Sequence, residues 1–186
     1  MKEVINFGSR IAIFAAVSAL ILAGVFSIAN PLIEKSKQKE IQTALTEILP
    51  NAVSFKKIEN NEKNLSFYQG LDAHKKVVGY ILPAFGKGYS STIEMLVAID
   101  HKKKILGLKI INQQETPGLG TRIMEVKEGA SSPWFQAQFV NKIPTALKLK
   151  KDGGSIDAIT GATISSKAVV TGLAQEINSF KIPTKK

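Results

Sequence analysis

Seven residues of one segment, Glu115 to Thr121, combine a carboxylate and two hydroxyls with two glycines and a proline. Proline fixes the backbone, and glycine permits either a positive φ or the close approach of a ligand. An irregular loop is therefore predicted here. The local pattern fits both a plain turn between a strand and a helix and a loop that lies against a small molecule. A lone G-x-G without the strand and helix around it is weak evidence for phosphate binding.

A second segment, residues 155–167, places Thr163 at or near the start of the last predicted helix. A helix N-terminus presents unpaired N–H groups and the positive end of the helix dipole, and both favour a phosphate. Gly161 and Ala162 leave room for a bulky group beside the hydroxyl, and Lys167 adds charge one turn later. The alternative is that Thr163 is an ordinary helix cap.

The composition narrows the chemistry that these segments can perform. The 186 residues include no cysteine, which excludes disulfides, thiol catalysis and thiolate ligands for iron–sulfur clusters. Two isolated histidines, His74 and His101, disfavour a histidine-rich metal site. The net charge is +10, but aromatic residues do not alternate with the lysine runs as nucleic-acid stacking requires, so we predict no nucleic-acid partner.

An uncharged stretch near the N-terminus predicts a membrane anchor. The run from Ile11 to Ala29 has 19 residues without a charge, and as a helix it extends about 28 Å, close to the thickness of the bilayer core. A cleaved signal peptide is the alternative, because Ser27-Ile28-Ala29 resembles a cleavage site. We favour a retained anchor because the run is longer than a signal core. The flanking charges do not decide its orientation.

The remaining chain predicts an α+β domain with a largely antiparallel sheet. A helix is expected to start at Asn30-Pro31 and to end at Pro50. Residues 51–64 are predicted to form a polar loop, a short helix follows Pro133 and carries Trp134, Phe135 and Phe139, and a closing helix ends near Phe180. The strand candidates are Leu65–Gln69, Lys76–Leu82, Thr92–Ile99, Ile105–Ile111 and Ala146–Lys150.

The residues Asp157-Ala158-Ile159-Thr160-Gly161-Ala162-Thr163 resemble the flavinylation motif of FMN-binding domains. The stretches around Gly88-Tyr89-Ser90, Leu96–Asp100, Ile105–Lys109 and Glu115–Gly120 resemble the same family in its order and spacing. Over residues 1–180 the chain is similar to the G subunit of Rnf-type electron transport complexes. It is more distantly similar to the C subunit of the sodium-pumping NADH:quinone reductase.

The resemblance implies a role for each matching residue. Thr163 matches the threonine that carries FMN through a phosphoester, which a separate flavin transferase installs. Asp157, Thr160, Gly161 and Ala162 match the motif that the transferase requires. The residues that match the loop against the flavin are Glu115, Thr116, Leu119, Gly120 and Thr121. Tyr89, Phe85 and Trp134 are candidates for stacking on the flavin, with core packing as the alternative.

The resemblance also implies a place in the cell. Residues 1–10 would form a short cytoplasmic segment, residues 11–29 the single transmembrane helix, and residues 30–186 one FMN-binding domain on the extracytoplasmic side of the cytoplasmic membrane. The chain would relay electrons among the other membrane subunits of an ion-translocating ferredoxin:NAD oxidoreductase rather than act as a stand-alone enzyme. The competing hypothesis is a membrane-anchored binding or assembly module that uses its basic surface and holds no redox cofactor.

Overall fold

The N-terminal part of the chain is one long helix. The computed structural model describes residues 2–60 and 65–183, and α1 extends from Lys2 to Ile48 without a break. The predicted new helix start at Asn30-Pro31 is therefore wrong, because Pro31 lies inside α1. A proline removes one backbone donor, and the Leu, Glu, Lys and Gln residues that follow it are strong helix formers that continue the helix.

The apolar part of α1 is long enough to cross a membrane. Within the described residues, Asn6–Ile48 is the helix that meets this length and composition. Its large apolar side chains are exposed from Ile11 to Ile28. So long an apolar surface is unfavourable in water and matches a hydrocarbon environment.

A separate compact unit begins at Gln42 and contains the sheet. Five antiparallel strands follow one another in chain order across the sheet, so each strand pairs with the next one along the chain. The α+β class with a largely antiparallel sheet is confirmed. The strands are β1 (Ser54–Asn60), β2 (Leu65–Leu71), β3 (Val77–Lys87), β4 (Thr92–Ile99) and β5 (Ile105–Asn112).

Two features of the sheet region differ from the sequence prediction. β1 lies where a polar loop was predicted, because an edge strand that pairs only with β2 needs few apolar residues. Residues 61–64 of that predicted loop lie outside the described residues. The predicted strand at Ala146–Lys150 is wrong: 3-10 turns flank a single bridge between Leu149 and Ile156. Leu147 and Leu149 are both buried and lie two residues apart, as the inward-facing side chains of a strand do. This spacing explains the wrong prediction.

Two further short helical segments and one long helix complete the domain. A 3-10 helix occupies Gly120–Met124, and the short α2 occupies Trp134–Ala137, which excludes Phe139 from the predicted helix. The closing helix α3 extends from Thr163 to Ser179. Phe135, Phe139 and Leu173 are fully buried between these helices and the sheet. The core therefore fixes the start of α3 close to the loop after β5.

Candidate functional site

A cleft of about 570 Å³ opens between the loop after β5 and the first turn of α3. Its volume lies within the range of small-molecule sites. The residues that line it are Tyr89, Glu115, Thr116, Leu119, Gly120, Gly161, Ala162, Thr163, Ile164 and Ser165. The two segments that the sequence singled out thus form facing walls of one cavity.

Thr163 is the first residue of α3, within one position of its predicted place. The cap position belongs to Ala162, and no side chain makes a capping hydrogen bond there. Thr163 is half-buried and is one of the residues that line the cleft. The interpretation of Thr163 as an ordinary helix cap is therefore not supported by the geometry.

Gly161 allows the chain to turn into α3 at this point. Its φ is +80°, a left-handed conformation that favours glycine. A Cβ atom on Gly161 would also lie 3.0 Å from the Cδ2 atom of Leu119 across the cleft. A larger residue at this position would strain the turn and press against the opposite wall.

Glu115 is the buried carboxylate of the cleft wall. Its Oε2 accepts hydrogen bonds from the Ser165 hydroxyl at 2.5 Å and from the Tyr89 N–H at 2.9 Å. Its Oε1 accepts hydrogen bonds from the N–H groups of Ser90 and Ser91, each at 3.0 Å, and from the Ser91 hydroxyl at 3.1 Å. Five donors therefore converge on one side chain.

These contacts set the charge of Glu115. Burial alone raises the pKa of the carboxyl group, but the hydrogen bonds from Ser165, Tyr89, Ser90 and Ser91 outweigh it and lower the pKa from 4.5 to about 2. Because the folded pKa is lowered, the ionised group stabilises the fold above pH 4.5, and this stabilisation is lost as the pH falls towards 2. Glu115 is an anion at neutral pH.

Two glycines make room for this carboxylate. A Cβ atom on Gly88 would lie 2.5 Å from Glu115 Oε1, and one on Gly120 would lie 2.6 Å from Glu115 Cβ and 2.8 Å from Ser165 Oγ. The residue pattern of the loop predicts close ligand approach or a positive φ for its glycines. The structure gives Gly120 a packing reason instead, and Gly118 has the positive φ, at +73°.

Replacing Gly120 by valine is expected to disturb the cleft. The added methyl groups would meet Glu115 and Ser165, and overpacking of this kind costs about 1–3 kcal/mol, so the domain stays folded with a displaced wall. Thermal unfolding and flavin incorporation of the full chain in detergent measure the two effects. Gly118→Asn is the matched control because asparagine tolerates a positive φ and the space there is open. Normal incorporation in Gly120→Val would remove this wall from the site.

Three predicted site residues and Lys167 lie outside the cleft lining. The Thr121 hydroxyl accepts a hydrogen bond from the Gly118 N–H at 3.1 Å, so it closes the loop. Thr160 is exposed on the turn before α3. The Asp157 carboxylate forms an exposed ion pair with Lys150 at 2.7 Å. Lys167 Nζ lies 4.0 Å from Asp152, so the positive charge that was predicted for the site pairs with Asp152 instead.

The three aromatic candidates separate in the structure. Tyr89 lines the cleft and is 72% exposed, so its ring is available to a ligand. Phe85 is also exposed but does not line the cleft. Trp134 packs edge-on against Phe135 and donates its indole N–H to Glu125. These contacts agree with the alternative interpretation of Trp134, which is core packing and not stacking on a flavin.

Sequence reasoning missed three contributions to the site, one of which is Ser165, which lines the cleft and donates its hydroxyl to Glu115. Ile164 lines the cleft and is exposed, although its position in the motif carries no distinctive signal. The turn Gly88–Ser91 contributes three backbone N–H groups that bind Glu115. Glycine and two serines in this turn were a usable signal, because small residues let a backbone approach an anion closely.

Comparison with known proteins identifies the family. The family of FMN-binding domains matches residues 88–178, which include both cleft segments. The G subunit of an ion-translocating oxidoreductase complex of Methanosarcina acetivorans is 32% identical over 95% of this chain and 94% of the relative. The G subunit of a proton-translocating ferredoxin:NAD(+) oxidoreductase complex of Clostridium ljungdahlii is 35% identical over 87% of this chain and 83% of the relative.

Among solved structures, NqrC of Shewanella oneidensis superposes with a TM-score of 0.48 and 18% identity, covering 70% of this chain and 67% of that one. The Methanosarcina relative aligns with 95% of this chain and so includes most of the N-terminal helix. The chain therefore belongs to the G-subunit family of ion-translocating oxidoreductase complexes, and its residues 88–178 match the FMN-binding domain.

Proposed function

We propose that this chain is a membrane-anchored electron-transfer subunit that carries FMN as a phosphoester of Thr163. The observation that supports the proposal most directly is that Thr163, the first residue of α3, lines the cleft and that its side chain makes no capping hydrogen bond. In this step the Thr163 oxygen bonds to the flavin phosphate of a phosphoanhydride donor, a flavin dinucleotide. The P–O bond to the second phosphate breaks, and a nucleoside monophosphate leaves with the hydroxyl proton. A flavin transferase is the proposed catalyst of this step.

The lining of the cleft fits the two ends of FMN. Leu119, Ile164 and Tyr89 offer exposed apolar and aromatic surface to a flat ring. The start of α3 favours a phosphate through its dipole and N–H groups. The cleft-lining residues given above include neither lysine nor arginine. Since no lysine or arginine of the lining could hold the phosphate, the covalent bond to Thr163 would hold it instead.

The bound FMN would supply one-electron and two-electron redox chemistry. The protein residues would position it: Thr163 fixes the phosphate end, and Leu119 and Tyr89 bound the space left for the ring. Because the ester attaches through the phosphate, the ring stays free of protein bonds. The relatives are named as subunits of multi-subunit oxidoreductase complexes, so we propose that this chain exchanges electrons with other subunits of such a complex.

The proposed topology places α1 in the cytoplasmic membrane as a single span. Residues 11–29 would cross the bilayer, residues 1–10 would remain cytoplasmic, and the domain that starts at residue 30 would lie on the extracytoplasmic side. The length and exposed apolar surface of α1 support the span. The compact unit starts at Gln42, and residues 30–41 belong to α1, so this stretch would form a helical connection.

Flavin incorporation tests the proposed function. The full chain is produced with and without a flavin transferase, purified in detergent, and examined by visible absorption and by fluorescence on a denaturing gel. We expect yellow protein and a fluorescent band only with the transferase. Colourless protein under both conditions would contradict the proposal and favour the binding or assembly module.

We propose that the flavin transferase recognises Asp157 and that Asp157 does not contact the flavin. Its carboxylate is exposed, pairs with Lys150, and lies outside the cleft lining. We expect Asp157→Asn to reduce flavin incorporation strongly while the unfolding free energy changes by no more than about 1 kcal/mol, since exposed ion pairs contribute little. Asp152→Asn, which removes a nearby exposed carboxylate, is the control. Equal incorporation in both variants would exclude this role.

A further inference from the structure

The cleft is built from three segments that are distant in the sequence, and one side chain joins them. Glu115 lies in the loop after β5, Tyr89 belongs to the turn between β3 and β4, and Ser165 lies in the first turn of α3. The Tyr89 N–H and the Ser165 hydroxyl both donate to Oε2 of Glu115. This oxygen therefore connects the turn directly to the helix that carries Thr163.

The turn Gly88–Ser91 presents three consecutive N–H groups to the same carboxylate. Successive backbone N–H groups that point to one side form a concavity that binds anions. Here the chain fills this concavity with its own buried side chain. The pairing of β3 with β4 ends at Lys87 and Thr92, so the ladder alone does not hold the turn against α3.

We propose that Glu115 is a positioning residue that holds the Tyr89 turn against the start of α3 and thereby presets the cleft beside Thr163 before flavin is attached. The consequence for flavin rests on the proposed function, whereas the positioning itself belongs to the chain without flavin. The turn brings Tyr89 to the cleft lining, so its position limits the space open to a ring.

The geometry requires a carboxylate rather than an amide. Glutamine has one acceptor oxygen and one NH₂ group. If its oxygen takes the place of Oε1, glutamine keeps the hydrogen bonds from Ser90 and Ser91. Its NH₂ group then faces the Tyr89 N–H, and these two donors cannot form a hydrogen bond with each other. The opposite orientation would set the NH₂ group against three donors, which is less favourable. Glu115→Gln should therefore release Tyr89 selectively.

Hydrogen–deuterium exchange of the full chain in detergent, without flavin and resolved to single residues, tests this. In Glu115→Gln we expect the Tyr89 amide to exchange about tenfold faster, as the loss of one charge-assisted hydrogen bond implies, with smaller changes at Ser90 and Ser91. In Glu115→Ala all three amides should exchange faster. Glu128→Gln removes an exposed carboxylate elsewhere and should change none of them. Protection of the β4 amides reports that the fold is intact.

A second variant tests the connection to α3. Ser165→Ala removes the bond to the helix and leaves the three N–H groups of the turn bound to Glu115. We expect flavin incorporation by the transferase to slow about tenfold, which corresponds to the loss of one hydrogen bond to a charged group, with the turn amides still protected.

Two results would overturn the proposal: unchanged exchange at Tyr89 in Glu115→Ala with β4 protected, or wild-type incorporation in Ser165→Ala. If the β4 amides lose their protection in the Glu115 variants, the rate of flavin incorporation in Ser165→Ala decides whether the proposal holds. If the wild-type chain accepts no flavin, the proposed function fails, and the exchange pattern of the Glu115 variants still decides the positioning role.

Discussion

Thr163→Ala is expected to leave the full chain folded and colourless after exposure to the flavin transferase. The side chain of Thr163 makes no capping hydrogen bond, so its loss should cost at most about 1 kcal/mol. Alanine has no hydroxyl oxygen and cannot form the ester. Fluorescence on a denaturing gel measures the covalent flavin, and thermal unfolding measures the stability.

Two further variants make this comparison specific. Thr171→Ala removes an exposed threonine hydroxyl from the same helix and should be flavinylated normally. Thr163→Ser keeps a hydroxyl and should retain partial incorporation. A fluorescent band of wild-type intensity in Thr163→Ala would show that the flavin is attached elsewhere.

A large loss of stability is expected from Gly172→Ala. Gly172 lies on the face of α3 that meets β3, and an added Cβ would collide with the backbone carbonyl of Phe85. Alanine gains up to about 1 kcal/mol over glycine in a helix, but overpacking costs about 1–3 kcal/mol, and a backbone atom cannot move aside like a side chain. The cost should therefore be near 3 kcal/mol, and after the gain in helix propensity we expect a net loss of about 2 kcal/mol in the free energy of unfolding.

The control for this change is Gln175→Ala, at an exposed position of the same helix. It should be neutral or slightly stabilising because alanine is the best helix former. Chemical unfolding of the full chain in detergent measures both variants. An increase of stability in Gly172→Ala would mean that α3 does not pack on β3 through this glycine.

The fold was predictable wherever one local pattern dominated. β4 was predicted with its observed bounds because it contains the continuous apolar run Met95–Ile99 and turn residues flank it. The edge strand β1 was missed because it is polar and depends on its partner β2 for its structure. Pro31 was interpreted as a helix start because a proline fits the first turn, although flanking helix formers also tolerate it inside α1.

The candidate site was predictable as two segments but not as a contact. Residue types singled out Glu115 and Thr163, and the start of a helix at Thr163 followed from the pattern of α3. The bond between Glu115 and Ser165 joins residues 50 positions apart, so no local spacing reveals it. Lys167 shows the opposite error, because one helical turn of separation does not specify where a long side chain points.

The attachment of FMN to Thr163 is tested most directly by mass spectrometry of the full chain produced with a flavin transferase. Trypsin releases residues 152–167 as one peptide that contains five hydroxyl side chains, Ser155, Thr160, Thr163, Ser165 and Ser166. We expect this peptide to gain the mass of one FMN less one water, and fragmentation to place the gain on Thr163. An unmodified peptide, or a gain on any of the other four hydroxyls, would contradict the account.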